Sequence, residues 1–225
     1  MALLSIDELN TPKVEVEEPE KYFSKMAISK AQKEERVDTS KEISDVLLFL
    51  FALLAIEMQN ERPDYEYVYE VFRIRFRNVV LEHSLDNAYT ERYVNDVTRK
   101  IFDNTVDNMK ASGVGKDQTD AGWWSSSDRA TAIGENEANS ILNYKDLQKA
   151  IEEGYVKKRW VTEKDNRVRR THSAVEGKTI PITEYFIVGD VPMMMPHDPE
   201  CLDEREIVNC RCSLEYIDKN GKIKK

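Results

Sequence analysis

The last third of the chain holds an ordered series of chemically demanding residues, in WVTEKDNRVRRTHSAVEG at residues 160–177 and IVNCRC at residues 207–212. The first stretch has the spacing W-x(4)-D-x-R-x-R-x-x-H-x(4)-G. All three cysteines and two of the three histidines lie between residues 172 and 212. We therefore expect the side chains that distinguish this protein to be held together in that part of the fold.

Composition limits the classes of function. The 225 residues include 33% charged and 40% hydrophobic residues, and the net charge is -9. Such a charge argues against nucleic-acid binding through the whole surface, but leaves local contact with DNA open. Basic residues cluster at 157–159 and 167–170, and again at Lys222, Lys224 and Lys225.

The run VLLFLFALLAI at residues 46–56 is the most apolar part of the chain. It is about half of the roughly 20 residues that a membrane-spanning helix needs, so it predicts a helix buried on most sides, with no membrane partner. Residues 1–10 lack the basic start and apolar core of a signal peptide. The odd number of cysteines predicts free thiols in a reducing compartment.

The pattern predicts an α+β protein, with a mostly helical N-terminal half followed by a small α+β domain that has a long helix and a short β-sheet. We expect five segments: a flexible acidic arm at 1–38, a helical domain at 39–112, a linker at 113–126, the α+β domain at 127–217 and a basic tail at 218–225. Composition keeps the arm from burying enough apolar surface to order by itself.

Capping and periodicity predict the elements. Thr39 to Glu42 resembles a capping box that starts the apolar helix, and Pro63 can open the next helix. Helical spacing continues over 65–82, where a strand stays possible, and in a long amphipathic helix ending near 112. A helix over about 128–153 ends at Gly154, and strand-like pieces follow at 156–162, 178–182, 185–188 and 212–217.

Two chemical interpretations of the motif stay open beside a structural one. Cys210, Cys212 and His172, with Cys201 or His197 as a fourth ligand, could form a tetrahedral zinc site. The Cys-x-Cys spacing is tighter than usual for zinc, however, and free cysteines are commonly buried as small core residues. We expect no cofactor, with zinc as the alternative.

A nuclease is the second interpretation. Arg167 and Arg169 could steady a phosphate while His172 exchanges a proton. The structural alternative is that one of these arginines bridges Asp165, Asp198 or Glu206, while His172 pins a turn. A clear second acid–base partner is lacking, which favours the structural alternative and predicts that the protein is not an enzyme.

Two motif residues have backbone roles. Gly177 is expected to supply a positive φ between two strands. Asn209 is a good turn residue, because its side chain can bond the backbone two residues on.

The motif extends beyond the two quoted stretches. Its further positions are Ile133, Glu137, Asn139, Gly154, Pro196 and the Asp198-Pro199 pair. Together these residues resemble the C-terminal domain of phage head-morphogenesis proteins, the minor head proteins to which the F protein of phage Mu belongs. The resemblance covers roughly residues 127–217. One branch of that family has a Cys-x-x-Cys pair where this chain has Arg169-x-x-His172, which weakens a metal assignment.

The resemblance implies a structural role inside the virion, for a protein made in the bacterial host cytoplasm. Such proteins act early in procapsid assembly, are present in few copies and influence DNA packaging or ejection in some phages. The implied partners are the portal protein, the major capsid or scaffolding protein, and phage DNA. We expect structural roles for Glu137, Asn139, Trp160, Asp165, Arg167, Arg169, His172, Gly177, Asn209, Cys210, Arg211 and Cys212.

Overall fold

Helices dominate the first two thirds of the chain. The computed structural model describes residues 16–112 and 122–224. Within these ranges the helices are α1 (Pro19–Ser24), α2 (Lys30–Glu57), α3 (Tyr65–His83), α4 (Ala88–Ala111), α5 (Ser127–Glu152) and the single turn α6 (Arg170–Ser173). The expected helices over 65–82 and 128–153 are confirmed as α3 and α5, and the amphipathic helix ending near 112 is α4.

Short strands follow α5 and complete the predicted α+β fold. They are β1 (Lys157–Val161), β2 (Thr179–Pro181), β3 (Phe186–Val188), β4 (Val191–Met193), β5 (Ser213–Ile217) and β6 (Ile223–Lys224). An antiparallel sheet has the order β2-β1-β5-β6, and β3 pairs with β4 in a separate hairpin. Trp160 on β1 lies opposite Leu214 on β5. Residues 223–224 of the expected basic tail thus form a strand, and Lys225 lies outside the described residues.

Helix α2 begins at Lys30, nine residues before the expected start at Thr39. Thr39 and Ser40 are fully buried inside the helix instead of capping it. The polar first turns are stabilised by Arg36, whose guanidinium donates to Asn139 Oδ1 (3.2 Å) and Asn143 Oδ1 (2.8 Å) on α5. Helix α3 is capped by Asp64, which accepts from the amide of Tyr67, so the expectation that Pro63 opens this helix is wrong.

The apolar run at 46–56 is helical, as predicted, but it is buried on one face only. Leu47, Leu50, Phe51 and Leu54 are 0–2% exposed, whereas Leu48 and Ile56 are 38% and 61% exposed. Uniform hydrophobicity hides this asymmetry, because every residue in the run is apolar. Among the described helices, length and hydropathy nowhere reach what a membrane crossing requires.

The described residues divide into two compact units, a first one of residues 38–112 and 122–137 and a second one of residues 16–37 and 138–224. This division differs from the expected domains, because its boundaries fall within α2 and α5 rather than in the linker. Residues 1–15 and 113–121 lie outside the described residues. For residues 16–38, the expectation of a flexible arm is wrong. Tyr22, Phe23 and Met26 are buried, and Tyr22 Oη donates to the carbonyl of Cys210 (3.1 Å).

Candidate functional site

Trp160, Cys210 and Cys212 of the motif belong to the hydrophobic core of the second unit. Trp160 on β1 is fully buried, and its ring packs edge-on against His172 (5.6 Å between centroids) and Phe186 (5.2 Å). Gly177 donates its amide to the Trp160 carbonyl (2.9 Å) and has φ +70°, the positive value predicted for it. The turn from α6 to β2 therefore places His172 over the indole.

His172, Cys210 and Cys212 form a buried cluster. Their ligand atoms lie within 4.8 Å of one another, and His172 Nδ1 is 3.4 Å from both the Cys210 and the Cys212 sulfur. The amide of Cys212 donates to the Cys210 sulfur at 3.4 Å. Asn209, immediately before the pair, has φ +56°, a left-handed conformation that asparagine tolerates and that turns the chain towards β5.

Glu206 fixes the other side of the His172 ring. Its Oε2 lies 3.0 Å from His172 Nε2 and accepts from Thr171 Oγ1 at 2.8 Å. The carboxylate accepts from Nε2–H and thereby orients the ring with Nδ1 towards the two sulfurs.

The cluster shifts the pKa values of its two thiols in opposite directions. Burial alone would raise the pKa of Cys210, but hydrogen bonds from Cys212, His172 and His197 hold that pKa well below its ordinary value. The hydrogen bond to Cys210, together with burial, raises the pKa of Cys212. Burial alone would lower the pKa of His172, yet the contacts with Cys210 and Glu206 raise it. The site thus favours one thiolate, on Cys210.

The two proposed fourth ligands lie outside this group. Cys201 is buried in the same core, but its thiol donates to the Asp203 carbonyl (3.4 Å), and burial raises its pKa. His197 is fully buried at φ +57° and donates from Nε2 to the Cys210 carbonyl. Its Nδ1 has no hydrogen-bond partner among the described residues.

The three motif arginines bind three different partners. Arg211 is buried and binds Asp165 Oδ2 at 2.7 Å, whereas Arg169 donates to the Val208 carbonyl. Arg167 is largely exposed and pairs with Glu17 Oε1 at 3.3 Å. The guanidinium that bridges Asp165 is therefore that of Arg211, not of Arg167 or Arg169 as the sequence suggested. His172 is 1% exposed, so the candidate nuclease groups do not share an accessible surface.

The two helix positions of the motif contact other helices. Glu137 on α5 accepts from Tyr93 Oη on α4 at 2.6 Å. Asn139, two residues on, accepts from Arg36 on α2.

Sequence reasoning assigned no role near the cluster to Glu206 beyond a possible arginine partner, and it missed Tyr22. Glu206 lies four residues before Cys210, a proximity that could have suggested it. No sequence signal links Tyr22 to a carbonyl 188 residues away.

A protein-family model covers α5 and the C-terminal motif. Residues 95–215 match the family described as Phage Mu protein F like protein. The match begins 32 residues before the resemblance read from the motif, so it includes most of α4 and all of α5. Neither the curated proteins nor the solved structures contain a significant match. Since the matched segment is more than half of the 225 residues, the chain belongs to the Phage Mu protein F like family and is a phage head-related protein.

Proposed function

We propose that this chain is a minor head protein that acts in procapsid assembly by binding the portal protein. The observation that carries the proposal is the family match over residues 95–215, which joins the helices α4 and α5 to the complete C-terminal motif. A structural role is also supported by how the motif side chains are used. They bind one another, backbone groups or neighbouring helices rather than converging on an open cleft.

Helices α2 and α3 expose large apolar side chains. Leu48 and Ile56 on α2 and Tyr67 and Ile74 on α3 are 38–64% exposed. Aromatic and aliphatic side chains of this kind are the ones that a protein partner buries. We propose that the portal protein, or the major capsid or scaffolding protein, covers some of these side chains inside the head.

The basic segments bear on contact with phage DNA. In the basic segments, Arg159 pairs with Glu215 (3.3 Å), Arg167 pairs with Glu17, and Lys224 pairs with Glu153. Carboxylates that already neutralise these cations reduce the number of phosphates they would bind. We therefore expect any effect on packaging or ejection to act through the portal.

Co-purification tests the proposal. The full chain is co-expressed with the portal, capsid and scaffolding proteins encoded beside it, together with His172→Ala and Arg169→Ala variants. We expect the wild-type chain to remain bound to the portal through size-exclusion chromatography, and no form to cleave RNA or DNA. Absence of association, with cleavage by the wild type that both substitutions abolish, would replace the head-protein proposal with a nuclease.

A further inference from the structure

We propose that His172, Cys210 and Cys212 bind one zinc ion that staples the C-terminal motif. Nitrogen and sulfur are the ligand atoms that zinc prefers. The proposal rests on the arrangement of these three side chains and does not depend on binding to a portal.

The distances in the cluster fit tetrahedral coordination. A tetrahedral zinc about 2.0–2.1 Å from nitrogen and about 2.3 Å from sulfur separates those two ligand atoms by about 3.5 Å. His172 Nδ1 lies 3.4 Å from each of the two sulfurs.

The chain brings the ligands together for local reasons. Residues two apart along an extended chain project to the same side, so the Cys-x-Cys spacing places both sulfurs towards α6. The amide of Cys212 donates to the Cys210 sulfur, a contact that stabilises a thiolate. The Cys-x-Cys spacing, although tighter than usual for zinc, is therefore compatible with a shared ion.

Glu206 supplies the outer contact that zinc-bound histidines usually have. Such a histidine donates its second ring N–H to a carboxylate, which fixes the tautomer and ring orientation. Glu206 Oε2 is 3.0 Å from His172 Nε2 and is itself held by Thr171. Glu206 is thus a positioning residue for the metal ligand.

A zinc site with three protein ligands leaves its fourth position to solvent. Two thiolates balance the charge of Zn²⁺, so the buried site needs no further anion.

Metal analysis of the intact chain tests the proposal. The protein is purified without chelators from cells supplied with zinc, and its metal content is measured by mass spectrometry. We expect about one zinc per chain in the wild type, and loss of most of it in Cys210→Ser, Cys212→Ser and His172→Gln. Cys201→Ser is the matched control, because this third buried cysteine donates to a carbonyl instead, and it should keep the zinc.

Two further measurements leave the three zinc ligands unchanged, so they do not require the ligand variants to fold. Cobalt titrated into the metal-free wild type should give thiolate-to-metal charge transfer and the intense visible bands of tetrahedral coordination. Glu206→Gln should weaken zinc binding about 10- to 100-fold while leaving the cobalt spectrum tetrahedral. A folded wild type that takes up no zinc from excess, a six-coordinate cobalt spectrum, or a Cys210→Ser, Cys212→Ser double variant that retains zinc would each overturn the proposal.

Discussion

Among single residues, the motif arginines differ in the solvent exposure of their side chains. Arg211 has 7% of its side-chain surface exposed and binds Asp165, whereas Arg167 has 58% exposed and binds Glu17. Burial would raise the pKa of Asp165, but the hydrogen bond from Arg211, the backbone hydrogen bond from Arg167 and the charges of both arginines together lower it. The pair made by the buried Arg211 guanidinium therefore specifies the loop between β1 and α6, and the exposed pair of Arg167 contributes little.

Arg211→Ala should lower the free energy of unfolding by about 2 kcal/mol, because it empties the position of a buried side chain and removes a hydrogen bond to a charged group. Arg167→Ala is the matched control and should cost less than about 1 kcal/mol, as exposed ion pairs do. Urea unfolding of both variants measures the difference. Equal losses would contradict the assignment of Arg211 as the partner of Asp165.

Lys158 gives the core a pH dependence. Burial lowers the pKa of Lys158 to about 8, although Asp198 and Glu184 act in the opposite direction. Between this value and the unfolded value near 10.5, the unfolded chain binds more protons, so the stability contributed here rises with pH. The free energy of unfolding of the wild type, relative to Lys158→Met, should rise by on the order of 2–3 kcal/mol from pH 8 to pH 10.5.

Lys157→Met is the control for that comparison, because Lys157 is exposed on the same strand. Its difference from the wild type should stay constant over the same range. A constant difference for Lys158→Met as well would show that its ammonium group is hydrated in the folded protein.

The sequence located the cluster but not its surroundings. His172, Cys210 and Cys212 were identified because their residue types are rare and chemically distinct. The partners of Arg169 and His197 are backbone carbonyls, which every residue carries, so composition does not indicate them. Cys201 has the same residue type as the other two cysteines, but its thiol donates to the Asp203 carbonyl, a contact that residue type alone does not indicate.

Between elements, helices α2 and α5 approach each other closely at Gly134. A Cβ atom at this position would lie 2.5 Å from the Ser40 carbonyl oxygen and 2.5 Å from Ser44 Oγ. Ser44 Oγ also donates to the Ala130 carbonyl (3.2 Å), one turn earlier on α5. A residue without a side chain is therefore required at this crossing.

Gly134→Ala should destabilise the protein by about 1–3 kcal/mol, although alanine is ordinarily better than glycine in a helix by roughly 1 kcal/mol. The matched control is Ala132→Gly at a half-buried position of the same helix, which should lose only that propensity difference, about 1 kcal/mol. Thermal unfolding followed by circular dichroism measures both. Stabilisation by Gly134→Ala would mean that the two helices are farther apart than described.

Periodicity predicted elements with one clear apolar face and failed where the partners are polar. Helices α3 and α4 follow their repeating aromatic and aliphatic residues, and α5 ends where Gly154 takes φ +82°. The start of α2 was missed because Arg36, a residue typical of surfaces, is 1% exposed and bonded to amides on α5. Strands as short as β4 and β6 carry no period of their own.

For the whole molecule, the N-terminal segment is part of the fold of the second unit. Phe23 is fully buried and packs edge-on against Tyr22, with ring centroids 5.0 Å apart. The amide of Ala27 donates to Glu163 Oε1 (2.6 Å), next to the motif loop. A segment that looked too polar to order by itself is ordered by the C-terminal residues it contacts.

Phe23→Ala should lower the free energy of unfolding by about 3–5 kcal/mol, because it opens a cavity in a buried region. Lys21→Ala is the control on the same helix, since the Lys21 side chain is 68% exposed, and should change stability by less than about 0.5 kcal/mol. Denaturant unfolding compares the two. A near-neutral Phe23→Ala would show that α1 is not packed on the rest of the chain.

The proposed place of the whole molecule is the interior of a phage head, and particle composition tests this most directly. Procapsids assembled from the portal, capsid and scaffolding proteins of the same genome are purified, treated with protease and analysed by quantitative mass spectrometry. A minor head protein should be recovered in few copies per particle, protected from the protease and lost from particles made without the portal. Its absence from the particles, or complete digestion while the capsid stays intact, would contradict the account.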